Sequence, residues 1–193
     1  VTDERDLPTA DSVTPSPTGL RALSHPLRLR LLGLLRLEGP ATASELAART
    51  GTSSGATSYH LRQLAVHGFV EDAGDDVDAR TRRWRASHRS TSTGSPRDAD
   101  ELAAVDAFAQ AVAVVHAEQM QRAVEEFSLL PQAWRSASTL SDYVRRLRPE
   151  TAQRLVERLE AVLEEVQDED HPEARPVVVR LHANPWPGSV TGT

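Results

Sequence analysis

The sequence predicts a mainly α-helical chain with a small β-hairpin: a winged helix-turn-helix followed by a helical C-terminal dimerisation domain. Three observations carry this. Aromatic residues make up only 4% of the chain against 39% apolar residues overall. The core is therefore mostly Leu, Val and Ala, which favours helices over a β-sandwich. Residues 43–70 read as helix, tight turn, helix and strand, and an arginine-rich alternating segment follows at 80–86.

The 193 residues suit one or two small domains. Residues 1–18 are polar and acidic, with Pro8, Pro15 and Pro17, and read as a disordered tail. Residues 19–87 form the winged helix-turn-helix, and residues 88–98 (HRSTSTGSPRD) form a Ser/Thr/Gly/Pro linker. Residues 99–193 form the helical dimerisation and effector domain.

Cysteine is absent, which excludes disulfides, thiolate nucleophiles and thiolate metal sites. Lysine is absent too, so all 22 basic side chains are arginines, each capable of a forked, bidentate contact. The net charge of −6 argues against nucleic acid, but its distribution does not. Residues 1–18 carry −3, residues 19–90 carry +4 and residues 91–193 carry −7. For phosphate binding the local field outweighs the total. No apolar run approaches membrane-span length, and the first residues lack the apolar stretch of a secretory signal. A cytoplasmic protein without a membrane partner is expected.

Leu27, Leu31, Leu34 and Leu35 line one side of a helix, with Arg28 and Arg36 on the other. Pro26 fits its first turn behind a Ser24 or His25 cap, and Glu38-Gly39-Pro40 ends it. Thr42 and Glu45 have capping-box spacing, and Leu46 and Ala47 point inward on a short helix. Gly51 suits the left-handed position after it, and Ser53 caps the next helix. Thr57, Leu61 and Leu64 form the buried face of that second helix. Ser54, Gly55, Ser58, Tyr59 and Arg62 are left pointing outward. Small residues let a helix end approach base edges, and hydroxyls and arginine can pair with bases or phosphates. A plain helical hairpin with a polar exterior is the competing reading.

Gly51 to Gly55 also matches G-x-S-x-G, the nucleophile elbow of α/β-hydrolases, with Ser53 as nucleophile. That motif needs a buried strand before the serine. The preceding ASELAART is an amphipathic helix, so no enzyme is expected.

Phe69–Glu71 and Arg82–Ala86 read as a two-stranded wing whose Arg82, Arg83 and Arg85, with Arg80, reach phosphates or the minor groove. Asp75, Asp76 and Asp78 in its loop run against this, so the tip points away from DNA or the acids pair with the arginines. A solvated edge hairpin is the alternative.

In residues 99–127, Leu102, Val105, Phe108, Val112 and Val115 make a narrow stripe on an Ala-rich helix. That suits close packing, within the chain or across a two-fold axis, and the stripe is taken as the dimer interface. His116 and Glu118 are two residues apart and share no helix face, so no metal is expected. Further on, SDYVRRLR reads as helical, Pro149 to Val166 as an amphipathic helix, and Pro176 to His182 as a β-branched strand needing a sheet edge to pair with.

The segments ALSHPLRLRLLGLL (22–35), ATASELAARTGTSSGATSYHLRQLAVHGFV (41–70) and TRRWRAS (81–87) resemble the winged helix-turn-helix of ArsR-type bacterial transcription regulators. The resemblance covers about a third of the chain. It implies a homodimer that binds a palindromic double-stranded operator and usually represses. It gives the groove-facing places to Ser54, Gly55, Ser58, Tyr59 and Arg62, a phosphate contact to His60, and the wing to Arg82, Arg83 and Arg85. Metal-sensing members carry Cys-x-Cys in the helix before the recognition helix, or His/Asp sets in the last helix. Here that first helix reads SELAART, so metal sensing does not carry over and no cofactor is expected. The long second half resembles the helical extension of some actinobacterial relatives, which adds a dimer interface and room for a small-molecule effector. The rival function is a winged-helix protein-interaction adaptor acting through the acidic C-terminal half.

Overall fold

The computed structural model describes residues 10–74 and 82–190. Asp75, Asp76, Asp78 and Arg80 lie outside them, as does the first half of the acidic tail. The fold is mainly helical with a small sheet, as the composition predicts. In chain order the elements are β1 (Ala10–Val13), α1 (Pro17–Leu23), α2 (Pro26–Glu38), β2 (Ala41–Thr42), α3 (Ala43–Thr50) and α4 (Ser54–Val66). Then follow β3 (Val70–Asp72), β4 (Arg83–Ala86), β5 (His88–Thr91), α5 (Ala99–Glu126), α6 (Gln132–Ala137) and α7 (Pro149–Glu165). The chain divides into two compact units, one reaching Arg135 and one starting at Ser136.

The first unit is built on leucine. Leu23, Leu31, Leu32, Leu35, Leu61 and Leu64 are at most 2% exposed and meet Phe69 and Trp84 in one cluster. Trp84 and Ala86 reach it because alternate residues of β4 point inward, leaving Arg83 and Arg85 on the other face. β4 sits between β3 and β2, antiparallel to both, with Glu71 opposite Arg85 and Thr42 opposite Arg83. The predicted hairpin is thus a three-stranded sheet, its third strand being two residues at the start of α3.

Residues 10–18, expected to belong to a disordered tail, are structured. β1 pairs in parallel with β5, Ala10 facing His88 and Val13 facing Thr91. The Ser16-Pro17 pair is a helix start: the Ser16 hydroxyl accepts from the Gly19 amide at 3.3 Å, and Pro17 fills the first turn of α1. The expected linker at 88–98 correspondingly begins as strand β5.

Helix α5 belongs to this first unit, packed on α1 and α2 through Ala104, Ala111 and Val115. Alanines there allow close approach. The stripe expected to face a second subunit largely turns inward. Phe108 packs against the leucine cluster, Val115 is buried, Val105 and Val112 are partly buried, and Leu102 alone of the five is exposed. Arginines fasten the joints. Arg30 on α2 grips Glu118 on α5 bidentately, Nε to Oε2 at 3.0 Å and Nη2 to Oε1 at 2.6 Å. Arg21 on α1 pairs with Asp100. Arg36 donates to the His88 carbonyl and the Thr91 hydroxyl, both at 2.8 Å, tying α2 to β5. Burial pushes its guanidinium down to about 10.

In the second unit α7 forms where the Pro149 start and apolar spacing place it. Two expectations there are corrected. SDYVRRLR is not helical, because the residue before Pro149 is turned away from helical backbone and no core receives Tyr143 or Val144. Pro176 to His182 is not a strand: none among the described residues pairs with it, and Val177, Val178 and Val179 stay more than half exposed.

Leu64 is fully buried whereas Val66, two residues on, is 76% exposed. Leu64→Ala is expected to cost about 2–5 kcal/mol in urea unfolding, and Val66→Ala less than about 0.5 kcal/mol. Equal costs would show that α4 does not hold this orientation.

Candidate nucleic-acid interface

The turn between α3 and α4 is fixed by its own side chains. Thr42 accepts from the Glu45 amide at 3.2 Å and Glu45 accepts from the Thr42 amide at 2.7 Å, closing the capping box that starts α3. Gly51 ends α3 with φ 66°, a left-handed backbone that side chains disfavour. A relay of hydroxyls then crosses the turn. Thr50 donates to the Leu46 carbonyl at 2.8 Å and lies 2.9 Å from Thr52, which lies 2.9 Å from Thr57. Thr57 is fully buried at the foot of α4, so the relay sets the angle between the two helices.

Ser53 caps α4, accepting from the Ala56 amide at 3.2 Å. A helix, not a strand, precedes it, so the G-x-S-x-G match is a turn and a cap. With Thr57, Leu61 and Leu64 committed to the core, α4 presents Ser54, Gly55, Tyr59 and Arg62 to solvent, with Ser58 half-buried among them. A Cβ on Gly55 would meet nothing within 4 Å, so the fold itself does not ask for glycine there. Arg62 is exposed, and its one hydrogen bond among the described residues runs from Nε to the Ser58 carbonyl at 3.1 Å.

His60 is not on this open row. It is half-buried, with its ring 4.5 Å from that of His25 and edge-on to Tyr59 at 5.3 Å. Its Nδ1 is buried without a hydrogen-bond partner. His25 also caps α2, its Nδ1 accepting from the Leu27 amide at 3.1 Å. Arg28, one turn into α2, lies close enough for its charge to act on both imidazoles. The start of α2 therefore places His25 and Arg28 beside α4, with the Arg28 guanidinium donating to the Ala22 carbonyl. The sequence assigns His25 to capping and Arg28 to the side opposite the leucines. The signal available was the three-residue spacing of these two groups at a helix start.

The wing arginines are engaged within the chain. Arg82 lies over the Trp84 ring at 4.0 Å and pairs with Asp72 at 2.7 Å. Arg85 donates to Glu71 at 2.8 Å, and Arg83 donates to the Pro40 carbonyl at 2.5 Å. Among the described residues the acids that meet the arginines are thus strand residues 71 and 72. Glu118, weighed with His116 as a metal pair, is held by Arg30.

Residues 23–73 match a protein family described as a helix-turn-helix domain. Over 56 residues the chain is 39% identical to the HTH-type transcriptional regulator YgaV of Escherichia coli (strain K12), a match that takes in 29% of this chain and 57% of that protein. The chain therefore spans little more than half the length of that relative. Two solved structures of a Lactococcus lactis ZitR double mutant, one in its apo form, align over 74% of this chain and 82% and 74% of theirs. Their identities are 16% and 15%, and their TM-scores 0.31 and 0.30. Within the matched residues α3, the turn and α4 form a helix-turn-helix, and its second helix carries the row described above.

The paired imidazoles give the domain a pH dependence. Burial first and the Arg28 charge second hold His25 below its ordinary 6.5. Burial, His25 and Arg28, in that order, do the same for His60. The folded state thus favours the neutral rings. As pH falls the unfolded chain takes up protons first, so stability present above 6.5 is lost on acidification through the lowered folded values. The melting temperature should fall between about pH 7.5 and pH 5, and fall less for His60→Gln. An identical slope in the variant would remove the imidazole pair as its cause.

Proposed function

We propose that this chain is a DNA-binding transcription regulator of ArsR type, acting as a homodimer on a palindromic operator and usually repressing. The observation that carries the reading is the solvent row of α4. It consists of small or hydroxylated residues at the helix start, then Tyr59 and Arg62, on a helix whose opposite face is fully buried. The unexplained openness at Gly55 supports it, because a bare backbone there lets another molecule come close. Ser54, Gly55, Ser58, Tyr59 and Arg62 enter the major groove. His25, Arg28 and His60 face the backbone phosphates beside it. Arg82, with its side chain 54% exposed, is the wing arginine most available to phosphate, whereas Arg83 and Arg85 chiefly hold the sheet together. Two copies would set their recognition helices about 34 Å apart, one turn of DNA. The signal that switches the protein is not a thiolate-bound metal, since the chain has no cysteine.

The operator is found by selecting bound fragments from genomic DNA and sequencing them. On it, Arg62→Ala is expected to weaken binding by about 1–3 kcal/mol and to relax preference at one base position. Arg28→Ala should weaken binding to all sequences alike and flatten the salt dependence, as loss of a phosphate contact does. Failure of the wild-type chain to enrich any fragment, or affinity indifferent to ionic strength, would overturn the proposal.

A further inference from the structure

Helix α7 buries none of its residues, although its apolar residues gather on one side. Leu155, Leu159, Val162 and Leu163 are each more than 40% exposed, and Val166 at the helix end is 72% exposed. Ala152, Leu155, Leu159, Val162 and Val166 step by three, four, three and four, the a and d spacing of a coiled-coil seam. This apolar seam runs the whole helix and lies open to solvent.

The charges beside the seam identify what covers it. Arg154 and Arg158 alternate with Glu150, Glu157 and Glu160 along the helix, and Glu164 and Glu165 close it. Arg158 and Glu165 lie seven residues apart on the same flank, the g position of successive heptads. Neither side chain has an ion-pair or hydrogen-bond partner among the described residues. In an antiparallel pair of identical helices, g faces g. Setting Leu159 against Val162 of a second copy also sets Leu155 against Val166 and Arg158 against Glu165. Two-fold symmetry makes each of these contacts twice. In a parallel pair g faces e instead, so Arg158 would meet Leu163 and gain no carboxylate partner. An anionic membrane is a poor occupant: the acids continue past the helix as Asp168, Glu169 and Asp170 and would be repelled.

We infer that α7 is a dimerisation helix, pairing antiparallel with α7 of a second copy through the Leu155–Val166 seam and reciprocal Arg158–Glu165 ion pairs. This deepens the homodimer of the proposed function and rests on it. It moves the contact from the α5 stripe, which the chain mostly covers itself, to a helix whose apolar seam stays largely exposed among the described residues.

Sedimentation equilibrium of the full chain across concentration tests it. The wild type should be a concentration-dependent dimer. Leu159→Glu should weaken dimerisation by at least about tenfold, placing a charge twice in the seam. Arg158→Glu should weaken it by about fivefold, because two attractions become two repulsions. Adding Glu165→Arg to Arg158→Glu should restore it, since the swapped pair is again complementary. The charge variants alter only exposed side chains, so they decide the matter even if Leu159→Glu unwinds α7, and circular dichroism checks this. A monomeric wild type, a dimer indifferent to Leu159→Glu and Arg158→Glu, or a double variant that stays weak would overturn the inference. Mass is the readout, so the two proposals fail separately. A wild-type dimer that responds as above but binds no operator sinks the regulator and supports the seam. An operator-binding monomer overturns the seam and the homodimer alike and leaves the DNA-binding reading standing.

Discussion

Full burial of Thr57, Leu61 and Leu64 is the constraint on which the rest of the first unit depends. A 13-residue helix has marginal stability alone. Packing one face on the leucine cluster both forms α4 and fixes its rotation about its axis. Once that rotation is set, no further choice remains about which residues face water. The hydroxyl relay through Thr50, Thr52 and Thr57 adds the remaining angle by joining the buried foot of α4 to the end of α3. Core packing and presentation of a surface are thus one event.

Arginine plays two roles that the charge total does not separate. Arg30, Arg36 and Arg83 act as internal fasteners, binding a carboxylate or carbonyls across element joints. A forked guanidinium suits such joints because it satisfies more than one acceptor at once. Arg62 and, in part, Arg28 and Arg82 leave their charge at the surface. The basic excess of residues 19–90 therefore overstates the field a phosphate would meet, and the wing contributes less of it than its composition suggests.

The helix-turn-helix was legible in the sequence because each of its signals is local. Capping-box spacing, a left-handed glycine and apolar periodicity depend on neighbours within a turn or two. The outward row on α4 followed from the same periodicity. What was not legible depends on partners far along the chain. Residues 10–13 read as a tail because nothing near them announces a strand; their partner lies at 88–91. The α5 stripe showed that something packs there but not whether the cover lies within the chain, and α1 and α2 supply most of it. His60 looked like a surface phosphate contact, and the residue that half-covers it, His25, comes 35 positions earlier. Val177 to Val179 had strand propensity without a sheet to join, and propensity alone does not make a strand.

The parallel pairing of β1 with β5 has a consequence for the order in which the chain acquires its shape. β1 is synthesised well before its partner, which ends at Thr91. Helices α1 to α4 and all three strands of the small sheet are synthesised in between. At about 5–20 residues per second the N-terminal strand waits several seconds for its neighbour. During that interval the helix-turn-helix can collapse on its own leucines, since its contacts are mostly short-range. The β1–β5 pair is then a latch on a domain whose core contacts no longer depend on it, and the nascent chain exposes an unpaired strand edge until residue 91 emerges.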